Sequence, residues 1–318
     1  MKTLSPKQLI TATYPGSRWQ VRTFEHQPSL YTPLLGNFFT IKLHQSPSIT
    51  IKSQNRANQY SPNAKFVIKI NNGNWSSFYA GHPFTISLPE TAIVTIMTGG
   101  NCDLDQVWKN HQGFALTGIE IADKAQWQPI VTVPQVTVIG DSITAGCWVG
   151  GKHASIDYHP ESNYIGIASR ELQMPIGRIA YSAAGFLRSG TGQVPPAIHW
   201  LTHIDTQATC PLPTSQWIIV NLGVNDRQFS SHEFLLAAQT YFSQLKKHFN
   251  GQIAILIPFA QAFASELHQL GRDFNFPVIE TAGWLTSTTD GLHPDQAGSI
   301  TLGKHFANAL QNLLEGEN

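Results

Sequence analysis

The chain has 318 residues, enough for two domains, because single hydrophobic cores stop growing at about 250 to 300 residues. Its 20 basic and 20 acidic residues leave no net field to attract nucleic acid or anionic lipid, so neither is expected as a partner. No window approaches the roughly 18 apolar residues of a membrane span, and no signal-peptide run is visible, so we expect a cytoplasmic protein without membrane contact.

Short strand-like runs fill residues 1–130. They are rich in β-branched and aromatic residues, with Gly, Asn, Pro and Ser between them. The turn segment 71–74 predicts a hairpin after residues 65–70, because Asn and Gly tolerate the positive φ of a tight turn. The predicted strands span residues 38–43, 49–52, 65–70, 84–88, 92–97 and 114–121. Strands separated by turns predict an all-β, jelly-roll-like sandwich.

After residue 130, apolar strands alternate with segments of helical periodicity. The predicted strands span 136–140, 178–181, 217–222, 253–257 and 278–280, and the predicted helices span 163–172, 232–249 and 297–314. This alternation predicts an α/β domain with a mainly parallel sheet and helices on both faces. Segment 126–134 has two prolines and no helical period, which indicates a junction between domains 1–130 and 131–318.

Four short motifs follow the predicted strands in a fixed order. They are Gly140-Asp141-Ser142, Ser182-Ala183-Ala184-Gly185, Gly223-Val224-Asn225-Asp226 and Asp290-Gly291-Leu292-His293-Pro294. A serine hydroxyl needs a base to take its proton and a third group to orient that base. Ser142, His293 and Asp290 are of these three types, and one short loop delivers the last two. The motifs therefore predict a catalytic triad with Ser142 as nucleophile at the carboxyl end of a strand.

Together the four motifs resemble the blocks of the SGNH, or GDSL, hydrolases, over about residues 135 to 300. The resemblance implies a flavodoxin-like three-layer α/β/α domain and a serine esterase without a cofactor. It also implies an oxyanion hole made by the backbone amides of Ser142 and Gly185 and the side-chain amide of Asn225. The chain departs from the family at Ser182, where the family block usually begins with asparagine.

Residues beside these motifs have competing interpretations. Gly190 and Gly192 lie close to Gly185 in sequence and are alternatives to it. Asp141 and Asp226 each adjoin a turn, where aspartate commonly accepts backbone N–H bonds. We therefore expect both carboxylates to be structural.

No metal ion is expected. His199 and His203 have the spacing that can place two ligands on one helical face, with Asp205 as a third. A serine mechanism needs no metal, however, and 13 histidines make such pairs frequent by chance, so surface histidines are favoured. The three cysteines are widely spaced, as suits reduced thiols, and Cys147 is interpreted as a packing residue.

A β-sandwich of about 130 residues ahead of an SGNH domain resembles carbohydrate esterase family 2, whose members remove acetyl groups from plant polysaccharides. The likeness rests on segment 64–72 leading to Gly73, on the closing segment 116–121 and on the immediate passage to Ser142. It implies an acyl ester of an oligosaccharide or small molecule as substrate. Trp148 and Trp284 are the candidate substrate-binding aromatics, and packing between loops and sheet is their alternative.

Other functions fit the same residues. The usual members of that family are secreted, so an enzyme acting on imported acetylated oligosaccharides would reconcile the resemblance with a cytoplasmic protein. A lysophospholipase-like lipid esterase or a thioesterase of the SGNH type would use the same triad. A glycan-binding protein with a relic hydrolase domain would have no turnover. Acyl chain length and reaction of Ser142 with a fluorophosphonate separate these alternatives.

Overall fold

The computed structural model describes residues 1–316, and its first 130 residues form antiparallel strands with a short helix, α1 (Pro6–Leu9). The strands are β1 (Lys2–Leu4), β2 (Gln20–Phe24), β3 (Gln27–Thr32), β4 (Phe38–His44), β5 (Ser48–Asn55), β6 (Lys65–Ile70), β7 (Trp75–Tyr79), β8 (Phe84–Ser87), β9 (Thr91–Gly100), β10 (Phe114–Ile121) and β11 (Gln126–Ile130). One sheet has the order β2-β3-β10-β5-β8, with β1 on β10, and the other has the order β11-β4-β9-β6-β7.

Alternating burial packs these two sheets together. Along β4, Phe39, Ile41 and Leu43 are buried, and the residues between them are half-buried. They share one core with Ile49 and Ile51 of β5, which belongs to the other sheet. Because successive side chains point to opposite faces of a strand, this pattern makes a sandwich. The jelly-roll connectivity of that sandwich stays a prediction.

The hairpin predicted around residues 71–74 is confirmed. β6 pairs antiparallel with β7, with Lys69 opposite Trp75. Asn71 in the turn has a φ of 51°, in the left-handed region that asparagine tolerates better than most residues.

The sequence pattern does not predict β1, β2, β3 or β11. In β2 only Phe24 is buried, so the apolar alternation that marks a strand is missing. β11 lies inside the segment predicted as a junction, at the edge of its sheet, with Pro129 opposite Ile41 of β4. An edge strand tolerates proline because one of its sides needs no backbone N–H. The connection between the sandwich and the next sheet is therefore only residues 131–135.

Residues 136–279 carry a sheet whose paired strands all run parallel. Its strands are β12 (Val136–Gly140), β13 (Ile176–Ala180), β14 (Trp217–Asn221), β15 (Gln252–Leu256) and β16 (Val278–Ile279), in the order β13-β12-β14-β15-β16. The helices are α2 (Ser142–Ala145), α3 (Tyr164–Glu171), α4 (Ser231–His248), α5 (Ala264–Phe274) and α6 (Gln296–Glu315). The predicted α/β class is confirmed, and the strand order is flavodoxin-like, with its switch point between β12 and β14.

Helices cover both faces of the parallel sheet. In β14, Ile218 and Val220 join a core cluster with Phe234 of α4. Ile219, between them, joins a different cluster with Leu302 of α6. Successive residues of a strand face opposite sides, so the two clusters lie on opposite faces and the three layers follow.

Helix α5 is missing from the predicted elements. It buries Leu267 and Leu270, but its N-cap is Phe263, which has a left-handed φ of 54° and makes no side-chain cap bond. Without a polar cap, the start of the helix carries no sequence signal. The other strands and helices predicted after residue 135 begin and end within two residues of the observed bounds. Within residues 1–316, no helix is both long and apolar enough to cross a bilayer.

The sandwich packs directly against the parallel-sheet part. Buried Arg18 donates two bonds of 2.8 Å to backbone carbonyls of segment 200–203. The ammonium of Lys65, which is 2% exposed, donates to the carbonyls of Ile156 and Tyr158, each at 2.7 Å. Buried cations need such partners, so these bonds fix one part on the other. The division into domains 1–130 and 131–318 stays a prediction.

Candidate active site

The Gly-Asp-Ser turn places Ser142 at the carboxyl end of β12. Gly140 fits there because a Cβ would stand 2.1 Å from the hydroxyl of Thr144. Asp141 caps α2, and its carboxylate accepts a bond of 3.0 Å from the N–H of Ile143. Ser142 is the first residue of this helix, where a backbone N–H has no intrahelical partner. The turn therefore brings a serine hydroxyl and an unpaired amide to the edge of the sheet.

The three residues predicted as a triad are hydrogen-bonded in series. Oγ of Ser142 lies 2.8 Å from Nε2 of His293, and Nδ1 of the same ring lies 2.8 Å from Oδ2 of Asp290. The side chains of His293 and Asp290 are 12% and 27% exposed, so the series runs from a buried serine toward solvent. This is the geometry in which an imidazole accepts a serine proton while a carboxylate holds its tautomer.

One loop holds both Asp290 and His293. Oδ1 of Asp290 accepts bonds from the N–H groups of Leu292, at 3.0 Å, and His293, at 2.7 Å. Gly291 between them has a φ of 88°, which favours glycine. Burial raises the pKa of the Asp290 carboxyl, but the bonds from His293 and Leu292 outweigh burial and lower the pKa below its usual value. The carboxylate is therefore ionised at neutral pH, as imidazole orientation requires.

The loop that carries Gly185 is built around the buried carboxylate of Asp226. That carboxylate accepts bonds of 2.8, 3.1 and 2.9 Å from the consecutive backbone N–H groups of residues 186–188. A Cβ on Gly185 would lie 2.3 Å from the same carboxylate, so only glycine allows the approach. Of the alternatives, Gly190 packs against Ser182 and Ala184 of the same segment, and Gly192 packs against Asp105 and Val107. The bonds of Asp226 fit its structural interpretation.

The three predicted oxyanion donors lie at this edge of the sheet, and they differ in the hydrogen bonds that their N–H groups already make. The Ser142 amide is unpaired in its helix, whereas the Gly185 amide donates to the carbonyl three residues further on, at 3.0 Å. The side-chain amide of Asn225 donates to the carbonyl of Ala184 at 3.0 Å and to Asp141 at 3.3 Å. A primary amide has two N–H donors, so an oxyanion bound by Asn225 would replace the longer bond to Asp141.

Asp141 is a buried carboxyl that titrates near neutral pH. Burial raises its pKa to about 7, the nearby charge of Asp226 raises it further, and the bond from Ile143 opposes the shift. In an unfolded chain an aspartate titrates at about 3.9. The folded protein therefore holds a proton that the unfolded chain releases. Asp141 consequently lowers stability progressively as pH rises from about 4 to about 7.

We expect Asp141→Asn, which keeps a capping side chain but does not ionise, to remove this pH dependence. Relative to wild type, its free energy of unfolding should rise by roughly 2 to 4 kcal/mol between about pH 4 and pH 8. Urea unfolding of both proteins across this pH range measures the difference between their free energies of unfolding. The other titrating groups are common to both proteins, so their contributions cancel in this difference. A difference that stays constant with pH would contradict the raised pKa.

Trp148 lies against the imidazole of His293. The two ring centroids are 6.0 Å apart, with the planes tilted by 35°, and the indole is half-buried. Its second aromatic neighbour is Tyr158, whose ring centroid is 6.1 Å away. The structure therefore places this predicted substrate-binding aromatic beside the histidine that bonds Ser142.

Trp284 has different neighbours. Its indole stacks on the ring of His305 of α6, with centroids 5.1 Å apart and planes 16° apart. It packs at the margin of the core cluster under α6. These contacts fit the packing interpretation of Trp284, and its substrate-binding role stays a prediction.

Thr289 is a residue beside the site that the sequence does not single out. Its hydroxyl donates to the carbonyl of Trp148 at 2.7 Å, across 141 positions of sequence. Neither a motif nor a local spacing signals a contact of this range. Lys65 of β6 bonds the carbonyls of residues 156 and 158, in the loop that follows Trp148, so the sandwich also contributes to the surroundings of the site.

The histidine pair and Asp205 do not converge. His199 lies in a 3-10 helix (Ala197–Leu201) that ends before His203, and Nδ1 of His203 lies 2.8 Å from the hydroxyl of Thr202. Asp205 pairs instead with Arg22 at 2.7 Å and lies 3.4 Å from His111. In the described part of the chain, no group of three His, Cys, Asp or Glu residues could hold a metal ion.

Cys147 is a buried free thiol, as are Cys102 and Cys210. Burial raises the pKa of the Cys147 thiol well above its ordinary value. A thiol with a raised pKa carries little nucleophilic thiolate, so these properties fit the packing interpretation.

Solved structures of other proteins share this architecture. Among them are family two carbohydrate esterases and other SGNH/GDSL hydrolases, which match between 88% and 99% of this chain. No protein-family model matches the sequence, and no curated protein matches it.

Three solved structures illustrate the similarity. A family two carbohydrate esterase from Cellvibrio japonicus has a TM-score of 0.74 at 15% identity, covering 99% of this chain and 98% of that one. One from Clostridium thermocellum, in complex with cellohexaose, has a TM-score of 0.69 at 15% identity, covering 99% of both chains. An acetyl xylan esterase from the rumen bacterium Butyrivibrio proteoclasticus has a TM-score of 0.71 at 13% identity, covering 99% of this chain and 100% of that one. The predicted resemblance is confirmed at the level of the fold.

Proposed function

We propose that this protein is a serine esterase that removes acetyl or other short acyl groups from carbohydrate. The observation that carries the proposal is the hydrogen-bonded series from Ser142 through His293 to Asp290, with 2.8 Å at both links. A hydroxyl paired in this way can pass its proton to the imidazole as it attacks a carbonyl carbon.

The proposed reaction has two half-reactions. In the first, Oγ of Ser142 bonds to the acyl carbon while Nε2 of His293 takes its proton. The bond to the sugar oxygen then breaks, and the imidazolium protonates that oxygen. In the second, His293 takes a proton from water as the water oxygen attacks the acyl-enzyme, and the carboxylic acid leaves as Ser142 recovers its proton. Asp290 keeps Nδ1 protonated and stabilises the imidazolium throughout.

Each half-reaction places negative charge on the former carbonyl oxygen. The unpaired amide of Ser142 is the first proposed donor to it. Asn225 is the second, and it exchanges its 3.3 Å bond to Asp141 for the oxyanion. Gly185 is the third, and its N–H shares or leaves the carbonyl that it now contacts at 3.0 Å. Removing one donor of this kind typically costs about 3 to 4 kcal/mol of transition-state stabilisation.

Two observations support carbohydrate as the substrate class. Solved structures with this fold include an esterase that holds cellohexaose and an acetyl xylan esterase. In addition, Trp148 offers a half-buried indole beside His293, and the apolar C–H face of a sugar can pack on an aromatic ring. The proposed substrate is therefore an acylated oligosaccharide.

Acyl chain length tests this proposal against a lipid esterase or thioesterase. We expect kcat/KM for p-nitrophenyl acetate to exceed that for p-nitrophenyl octanoate by about tenfold or more, because a site shaped for a short acyl group excludes a longer one. Initial rates are measured with Ser142→Ala as the blank. Preference for octanoate would assign a lipid or thioester substrate to the same triad. No rate above the blank would favour glycan binding without catalysis.

A further inference from the structure

Trp148 has a backbone conformation that tryptophan rarely adopts. Its φ is 64°, in the left-handed region, where a non-glycine residue persists only if its surroundings hold it. Two backbone bonds close the loop around it, from Gly150 to Asp157 at 2.9 Å and from His159 to Gly146 at 2.8 Å. Strained residues of this kind cluster at functional sites, so the contacts that hold Trp148 are of interest.

One of those contacts comes from the loop that carries the proposed base. The hydroxyl of Thr289 donates to the carbonyl of Trp148 at 2.7 Å, and the N–H of Thr289 donates to the carbonyl of His293 at 2.8 Å. Thr289 is half-buried. Thr289 therefore connects the backbone of Trp148 to the backbone of His293.

The opposite side of the loop is held by the sandwich. The ammonium of Lys65 donates to the carbonyls of Ile156 and Tyr158, each at 2.7 Å, and the ring of Tyr158 packs against Trp148. With that side fixed, the hydroxyl of Thr289 is the side-chain contact that holds Trp148 from the histidine side.

We infer that Thr289 is a positioning residue that sets Trp148 against the sugar of the substrate, an inference that rests on the proposed esterase function. Thr289 acts through Trp148 and touches no reacting atom. Without its hydroxyl, the Trp148 carbonyl loses a bond and the strained turn can relax toward a more common conformation, which moves the indole. The bonds from Ser142 to His293 and Asp290 are made by other atoms, so the loss falls on sugar recognition.

The test compares Thr289→Val, which keeps the shape but loses the hydroxyl, with Thr289→Ser, which keeps the hydroxyl. Acetate release is measured from acetylated xylo-oligosaccharides and from ethyl acetate, whose leaving group has no ring. We expect Thr289→Val to lower the ratio of the two kcat/KM values about tenfold, mainly through KM for the sugar ester. Thr289→Ser should keep the ratio within about twofold of the wild-type value. The matched control Thr286→Val, at an exposed threonine of the same segment, should leave it unchanged.

A double variant separates positioning from an unrelated structural effect. Trp148→Ala should lower the same ratio, and adding Thr289→Val to it should change the ratio by less than about twofold, because the two residues act as a unit. Equal losses on both esters would show that Thr289 acts on the histidine instead. Additive losses would show that it acts independently of Trp148, and either result would overturn the inference.

Failure of the esterase proposal is distinguishable from failure of this inference. If wild-type turnover of ethyl acetate does not depend on Ser142, the esterase proposal fails whatever Thr289 does. Thr289 is then tested by calorimetric binding of the oligosaccharide to Ser142→Ala, where adding Thr289→Val should weaken affinity about tenfold. An unchanged affinity, or no binding by either protein, would overturn the inference.

Discussion

Ser142→Ala should lower kcat on p-nitrophenyl acetate by about a thousandfold or more while the protein folds normally. The change removes the oxygen that lies 2.8 Å from His293 and leaves the helix cap at Asp141 in place. The loss should appear in kcat rather than KM, because the serine oxygen acts in the chemical step. The backbone amide at this position remains, so residual activity above the uncatalysed rate is expected.

The measurement needs a matched serine and a check of folding. Ser243→Ala, on the exposed side of α4, makes the same chemical change away from the site and should keep wild-type kcat. Circular dichroism and the thermal midpoint of both variants should match those of wild type. An intact rate in Ser142→Ala would end the assignment of Ser142 as nucleophile.

Asn225→Ala should lower kcat by about a hundredfold or more with little change in KM, because an oxyanion donor acts in the transition state. The side chain also donates to the carbonyl of Ala184 at 3.0 Å, so some loss of stability is expected as well. Kinetics and thermal unfolding of the same preparation separate the two effects.

Asn221 provides the matched control for Asn225. Its buried side-chain amide donates to the carbonyl of Leu256 at 3.0 Å, near the carboxyl end of the same strand. Asn221→Ala should therefore destabilise the protein about as much as Asn225→Ala does, because each change removes a hydrogen bond to a backbone carbonyl. It should keep kcat within roughly a few-fold of wild type. An effect of only about threefold on kcat from Asn225→Ala would remove it from the oxyanion hole.

Much of the candidate site is predictable from sequence, because its residues either lie close together in the chain or directly follow predicted strands. Asp290 and His293 lie three residues apart in one loop, and Ser142 directly follows a buried apolar strand. The parallel sheet then brings the ends of β12 and β14 together, which places Asn225 close to Asp141. Each of these steps depends on short spacing or on a general property of parallel sheets.

The remaining features depend on contacts that no local pattern encodes. The bonds of Asp226 to residues 186–188 join segments about 40 positions apart, and the bond of Thr289 to Trp148 joins segments 141 apart. The pairing of the Gly185 amide with a nearby carbonyl also depends on how that loop closes. Burial, which raises the pKa of Asp141, is likewise a property of the packed structure.

In the fold, too, the elements with local sequence signals are predicted, and the elements that depend on tertiary contacts are not. The helices with polar caps, such as α4 with Ser230 and Glu233, follow their predicted bounds closely, whereas α5 begins without a polar cap and is not predicted. β11 is formed by pairing with β4, and its own sequence resembles a linker. The cytoplasmic location and the domain boundary at residue 130 stay predictions.

Release of acetate from acetylated xylo-oligosaccharides, compared between wild type and Ser142→Ala at equal concentration, tests the central claim most directly. Acetate is quantified by NMR during the initial phase of the reaction. We predict release by wild type at a rate about a thousandfold or more above that of the variant. Equal release by the two proteins, or no release by wild type, would contradict a serine esterase that acts on acylated carbohydrate.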